Sequence, residues 1–358
     1  MSDTVPSPVA VRDWKADQGW GPDFEAAMKP YAKKGLEPAR VILVYRKMLK
    51  VLSHRGEHWA RTGGRMLHHA HDPSDLPAVG DWVAARIPPE TGEALVNAVL
   101  PRRSAFVRKV AGDNAVPQVL GTNLDTVLVV MGLDRDFSLR RLERFMTLAW
   151  ESKATPVVVL NKKDLAEDLA TDLAVVTEIT RGAAIYTVSA LTGEGLDELH
   201  QYIGPGKTVA LLGSSGVGKS TLVNRLVGAE VMTTGDLKDD GRGRHTTTKR
   251  ELIVLPGGGA IIDTPGLREV QMWAAEGGLA KAFDDIDALS KQCRFSDCKH
   301  LAEPGCAVKA ALEDGTLDDV RFDSWLELQR EIQWLQKPGD TRGRPESKRR
   351  ERLGHGKR

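Results

Sequence analysis

The chain has 358 residues, 41% hydrophobic and 28% charged, with a formal net charge of +1. That length is too great for one ordinary core and calls for two or three domains, while the composition is that of a globular protein. No apolar run reaches the roughly 18 residues that span a bilayer, and three cysteines exclude a disulfide framework, so the expected compartment is the cytoplasm with no membrane partner.

Residues 1–37 are rich in Pro, Gly and Ala, lack a signal-peptide pattern, and read as an extension with one short helix. From Arg40 the texture changes to short strand-like runs, Arg40–Tyr45, Pro77–Ala85 and Leu95–Leu100, separated by turn signals such as Thr62-Gly63-Gly64. Over residues 38–115 this predicts a small β-barrel, of which the oligonucleotide-binding type is the natural candidate. Between Pro38 and Gly112 there are 12 Lys/Arg against 6 Asp/Glu. From Lys337 to Arg358 the counts are 9 against 3. Two basic ends on a near-neutral chain suit a polyanionic partner. Five histidines between His54 and His71 have irregular spacing and read as basic barrel surface rather than a second metal site.

Residues 120–278 alternate apolar strands with helices. Strands are expected at Thr126–Met131, Pro156–Leu160, Ala184–Val188, Thr208–Leu212, Leu252–Leu255 and Ala260–Ile262. Helices are expected over Ser138–Ser152, Thr171–Thr180 and Leu196–Ile203. This is the pattern of an α/β domain whose largely parallel sheet is covered on both faces. Asn161-Lys162-Lys163-Asp164 ends one strand. An Asp carboxylate there accepts from guanine N1–H and the 2-amino group, which adenine cannot satisfy. Asn161 bonds the other base edge or braces the loop, and the Lys162 stem lies over the base. Ser189-Ala190 ends the next strand and supports the base.

Gly213-Ser214-Ser215-Gly216-Val217-Gly218-Lys219-Ser220 then fits the phosphate loop, between a strand and the helix opening at Thr221. The glycines turn backbone N–H groups toward phosphate oxygens, Lys219 contacts the β- and γ-phosphates, and Ser220 ligates Mg²⁺. Gly241-Arg242-Gly243-Arg244-His245-Thr246-Thr247-Thr248 reads as the switch that closes over the triphosphate, with one threonine, here assigned as Thr247, on Mg²⁺. Asp263-Thr264-Pro265-Gly266 supplies Asp263 to hold Mg²⁺ through water and the Gly266 N–H to sense the γ-phosphate. A glutamine that orients water often follows this motif. Here the position is Leu267, so His245 is the candidate catalytic residue. The guanine-reading tetrapeptide precedes the phosphate loop, so the domain is circularly permuted. A P-loop ATPase or kinase is opposed by Asn161–Asp164. A non-catalytic adaptor is opposed by the intact Lys219, Ser220 and Asp263.

The helix-rich residues 279–336 hold every cysteine, as Cys293-x4-Cys298-x-His300-x5-Cys306. Three thiolates and one imidazole close a tetrahedral structural zinc site, and the same donors accept iron. The basic residues 337–358 read as a disordered tail.

The permuted order, the barrel-like start, Gly243–Thr248, Asp263–Gly266 and the Cys/His cluster together resemble the ribosome small-subunit-dependent GTPases, the RsgA/YjeQ family. The resemblance covers about residues 38–335. It implies an oligonucleotide-binding barrel, a permuted GTPase domain and a small zinc domain. It also implies a GTP hydrolase, bound to GTP or GDP, that engages the small ribosomal subunit and its rRNA in late maturation. Slow intrinsic turnover, activation by the ribosome and a monomeric chain complete the expectation.

Overall fold

The computed structural model describes residues 13–45, 48–89, 92–110, 116–232, 250–263 and 276–336. Two helices, α1 (Trp14–Asp17) and α2 (Pro22–Ala32), lead into the barrel strands β1 (Glu37–Tyr45), β2 (Met48–Ser53), β3 (Gly56–Thr62), β4 (Trp82–Arg86) and β5 (Ala94–Val99). A short helix α3 (Gly64–His69) lies between β3 and β4. The strands run β1-β2-β3-β5-β4, and β4 pairs back onto β1. Only the β3–β5 pairing is parallel. This closed five-strand order is that of the oligonucleotide-binding barrel. Alternation along the strands fills it with Val41, Leu49, Val51, Ala60, Val83 and Val96.

The segment 13–36 holds two helices where one was expected. Its rings explain why: Trp14 and Trp20 pack against the buried Trp82 of β4, with Phe24 beside them. This segment also touches the second domain, since Gly206 and Gly259 both donate their N–H to Asp17 O at 2.9 Å. The Arg40 guanidinium donates to Gln18 O and, at 2.8 Å, to Thr208 Oγ1. Burial lowers this arginine to about 10, against the pull of Asp125 and Asp81.

After the hairpin β6 (Ala105–Val110) and β7 (Val116–Thr122) come β8 (Thr126–Gly132), α4 (Leu139–Glu151), β9 (Thr155–Asn161), α5 (Leu169–Thr180) and β10 (Ala184–Thr187). The chain continues through β11 (Thr208–Leu212), α6 (Lys219–Val227), β12 (Arg250–Val254) and β13 (Ala260–Asp263). The order β10-β9-β8-β11-β13 is parallel throughout, with β12 antiparallel beyond it. Every residue of β8 is buried, Val127, Val129 and Met131 toward the α4 layer and Leu128 and Val130 toward α6. That two-sided burial is why the strand reads as a continuous apolar run. Residues 197–202 form a 3-10 turn rather than the α-helix expected there.

Strand β12 also pairs with barrel strand β1, Leu43 opposite Glu251 and Val44 opposite Arg250, so one continuous sheet crosses both units. The C-terminal helices are α7 (Glu276–Ala282), α8 (Asp284–Ser290), α9 (Ala307–Glu313) and α10 (Asp319–Gln336). They extend the core of the α4 layer through Phe283, Ile286, Val308, Phe322, Trp325 and Ile332. Among the described residues no helix is long and apolar enough to cross a membrane.

Candidate nucleotide and metal sites

The phosphate loop leaves β11, the strand flanked by two parallel neighbours, and ends where α6 begins at Lys219. Its glycines are dictated by close approach. A Cβ on Gly213 would lie 2.4 Å from Val130 O. One on Gly218, at φ +95°, would lie 2.4 Å from Asn161 Nδ2. Only glycine tolerates that conformation and that proximity together. Val217 is buried and anchors the loop, while Ser215 and Gly216 are exposed. Lys219 Nζ donates to Gly213 O at 2.8 Å and Ser214 O at 2.5 Å, curling over the loop it belongs to. Ser220 and Thr221 occupy the first turn of α6, at its positive end.

The tetrapeptide Asn161–Asp164 starts at the end of β9. Asn161 is 2% exposed and both ends of its carboxamide are bonded: Nδ2 donates to Val217 O at 2.8 Å, and Oδ1 accepts from Ala190 N at 2.9 Å. Of the two roles open for this residue, the structure has it bracing. It joins three segments remote in sequence, the β9 end, the phosphate loop and Ser189-Ala190. Lys162 sits in the left-handed region at φ 63° and pairs with Asp134 at 2.6 Å. That contact holds the Asp134 carboxyl below its ordinary range. Lys163 pairs with Glu194 at 2.5 Å. Ser189 is fully buried and its Oγ accepts from Thr192 N, closing the turn that follows β10. The Asp164 side chain is exposed and makes no hydrogen bond or ion pair among the described residues.

Asp263 closes β13, beside the phosphate-loop strand. The switch Gly241–Thr248, with His245 and Thr247, and the residues Thr264–Leu267, with Gly266, lie outside the described residues.

In the C-terminal segment the Cys293, Cys298, His300 and Cys306 donor atoms all lie within 4.8 Å of one another. Cys293 Sγ is 3.9 Å from Cys306 Sγ and 3.6 Å from His300 Nδ1, which is 3.4 Å from Cys306 Sγ. A tetrahedral zinc with bonds of about 2.3 Å to sulfur and about 2.0 Å to nitrogen would set S···S near ~3.8 Å and S···N near ~3.5 Å. The Cys293, His300 and Cys306 spacings match such an ion, and Cys298 lies within 4.8 Å of each of them. Burial lowers the His300 pKa, keeping the imidazole in its ligating neutral form. The Glu303 carboxylate accepts the N–H groups of Lys299, Leu301 and Ala302 and fixes the loop between the last two ligands. His54, His58, His68, His69 and His71 belong to no metal-holding group among the described residues.

Residues 99–273 match the model of the RsgA GTPase family. The small ribosomal subunit biogenesis GTPase RsgA of Opitutus terrae is 53% identical over 87% of this chain and 88% of its own. The chain belongs to the RsgA family of GTPases. The RsgA of Streptomyces avermitilis is 46% identical over 92% of this chain and 89% of its own. The crystal structure of YjeQ from Thermotoga maritima superposes with a TM-score of 0.61 at 28% identity, covering 83% of this chain and 99% of that one. YloQ, a circularly permuted GTPase, shares the fold with a TM-score of 0.58 at 24% identity, over 84% of this chain and 96% of its own. The permuted motif order read from the sequence is therefore that of the RsgA fold.

Four residues of this RsgA site escaped the sequence reading: Asp134, Arg141, Glu194 and Arg225. Each acts on a segment far along the chain, Arg225 for example donating to Leu191 O at 2.9 Å. The one available signal was position, since Asp134 follows the carboxyl end of a parallel strand, where ligands of such sheets collect.

Proposed function

We propose that this RsgA-family GTPase acts in late maturation of the small ribosomal subunit, and that docking on the subunit accelerates its hydrolysis of GTP. The observation that carries the reading is the Asn161 carboxamide. It joins a guanine-reading loop to a phosphate loop in a chain whose curated relatives are named small ribosomal subunit biogenesis GTPases.

In this reading Asp164 accepts from guanine N1–H and the 2-amino group, with Lys162, Lys163, Ser189 and Ala190 shaping the pocket around the base. The N–H groups of residues 213–218 cradle the phosphates, and Lys219 leaves its loop carbonyls for the β- and γ-phosphates. Ser220 and Thr247 ligate Mg²⁺, Asp263 holds it through water, and Gly266 senses the γ-phosphate. His245 orients the attacking water. A structural zinc is held by Cys293, Cys298, His300 and Cys306, with no open position for chemistry. The chain works as a cytoplasmic monomer, with the domain bounds set out from the sequence.

The path to activation is supported by the sheet. Arg250 lies three residues beyond Thr247 and opens β12, which pairs with barrel strand β1 on one side and with β13 on the other. A barrel gripped by rRNA thus bears directly on the exit of the switch. Co-sedimentation with purified small subunits tests the reading. Binding should be stronger with a non-hydrolysable GTP analogue than with GDP, and should weaken with added salt as phosphate contacts are screened. Equal, salt-insensitive binding in both states would count against it.

A further inference from the structure

We propose that Arg141 is a positioning residue for the phosphate loop, and that helix α4 couples this loop to helix α10 of the metal-binding segment. The inference rests on the nucleotide reading of residues 213–220. Arg141 Nη1 donates to Ser214 Oγ at 2.7 Å and pairs with Asp136 Oδ2 at 2.7 Å. The guanidinium therefore ties the first turn of α4 to the second residue of the phosphate loop, the residue whose carbonyl also receives Lys219.

The neighbours of Arg141 on the same helix face a different element. Glu143, 5% exposed, accepts from Arg321 Nη1 at 2.9 Å and from the Ser324 hydroxyl, both on α10. Arg321 also binds Asp285 and donates to Ala282 O, so the α10 end of this contact is itself fixed. Arg144 pairs with Glu331 at 2.7 Å and Arg140 with Glu327 at 3.3 Å, further along α10. Residues 140, 143 and 144 set the rotation of α4 against α10, and residue 141 carries that setting to the phosphate loop. A side-chain tip about 6 Å from a helix axis moves by ~1.5 Å when the helix turns by about 15°. That is enough to break the Arg141–Ser214 hydrogen bond, since such bonds weaken steeply with distance. The coupling is reciprocal: whatever shifts α10 changes nucleotide affinity, and nucleotide in the loop steadies α10.

The test is GDP titration of the full chain, monitored by a fluorescent GDP analogue, for wild type, Arg141→Ala, Arg141→Lys, Glu143→Gln and the double variant Arg141→Ala/Glu143→Gln. Arg141→Ala should weaken GDP about tenfold, the scale of one charge-assisted hydrogen bond from a partly exposed guanidinium. Arg141→Lys, whose ammonium can still donate to Ser214, should recover most of the loss. Glu143→Gln should weaken GDP about threefold alone and have no further effect in the Arg141→Ala background, because its influence passes through Arg141. If thermal unfolding shows that Glu143→Gln is misfolded, Ser324→Ala takes its place in the cycle. GDP affinity unchanged in Arg141→Ala, or losses that multiply in the double variant, would overturn the coupling. Failure of wild type to bind GDP would instead overturn the nucleotide reading, and this inference with it.

Discussion

Replacing Asn161 by alanine removes one buried carboxamide and leaves two buried backbone groups, Val217 C=O and Ala190 N–H, without that partner. The pocket is too closed for bulk water to replace it, since Asn161 is 2% exposed and Val217 equally so. Each such group left unsatisfied costs about 1–3 kcal/mol. The total is about 2–6 kcal/mol, spread between fold stability and the positions of the two loops. If about 2.8 kcal/mol of it falls on the nucleotide complex, GDP affinity drops by about a hundredfold. The assay is a titration with a fluorescent GDP analogue, run beside thermal unfolding of the free protein. Asn161→Asp separates the two bonds: its carboxylate still accepts from Ala190 N but repels Val217 O. It should therefore bind GDP no better than the alanine variant. An Asn161→Ala protein that binds GDP within threefold of wild type and melts at the same temperature would refute the bracing role.

Asp164→Asn should lose GTP affinity and gain xanthosine triphosphate affinity, because the 2-oxo group of xanthine needs a donor where guanine needs an acceptor; competition titrations read this directly. One zinc per chain is expected by elemental analysis, and Cys298→Ser should release it and loosen residues 293–306 while the sheet stays folded, as proteolysis would report. Arg321 holds the Asp285 carboxyl below its ordinary value of 3.8, although burial alone would raise it. A depressed carboxyl stabilises the fold fully above that value and loses its contribution as pH falls through the lowered one. The stability gap between wild type and Asp285→Asn should thus be steady from pH 7 to 5 and shrink below about 3.8; unfolding midpoints against pH check it.

The nucleotide motifs were legible because each is a local run of residues at the end of a strand, where chemistry and geometry depend on neighbours in sequence. The Cys/His cluster was legible for the same reason, all four residues falling between Cys293 and Cys306. Bracing was one of the two roles open for Asn161 in the sequence, but its partners were not legible, because Ala190 and Val217 lie 29 and 56 residues away. Strands β2 and β3 went unread because polar and charged residues interrupt their apolar positions, as in Gly56-Glu57-His58-Trp59-Ala60-Arg61-Thr62 with a single buried position. The helices of residues 14–32 form against Trp82, a contact that no local periodicity announces. The turn at 197–202 has helical apolar spacing, yet only one of its residues, Leu199, is buried, so packing never extends it into an α-helix.

The central claim is that the small ribosomal subunit switches on GTP hydrolysis by this chain, and the most direct measurement is kcat with and without purified small subunits. Leu267 stands where other GTPases carry a water-orienting glutamine, so the free chain should turn over slowly. Subunits should raise kcat more than they raise GTP affinity, less so at high salt, and His245→Ala should lose the stimulation while still binding GTP. Equal wild-type kcat with and without subunits would contradict ribosomal activation, whereas full stimulation of His245→Ala would remove only the role given to His245.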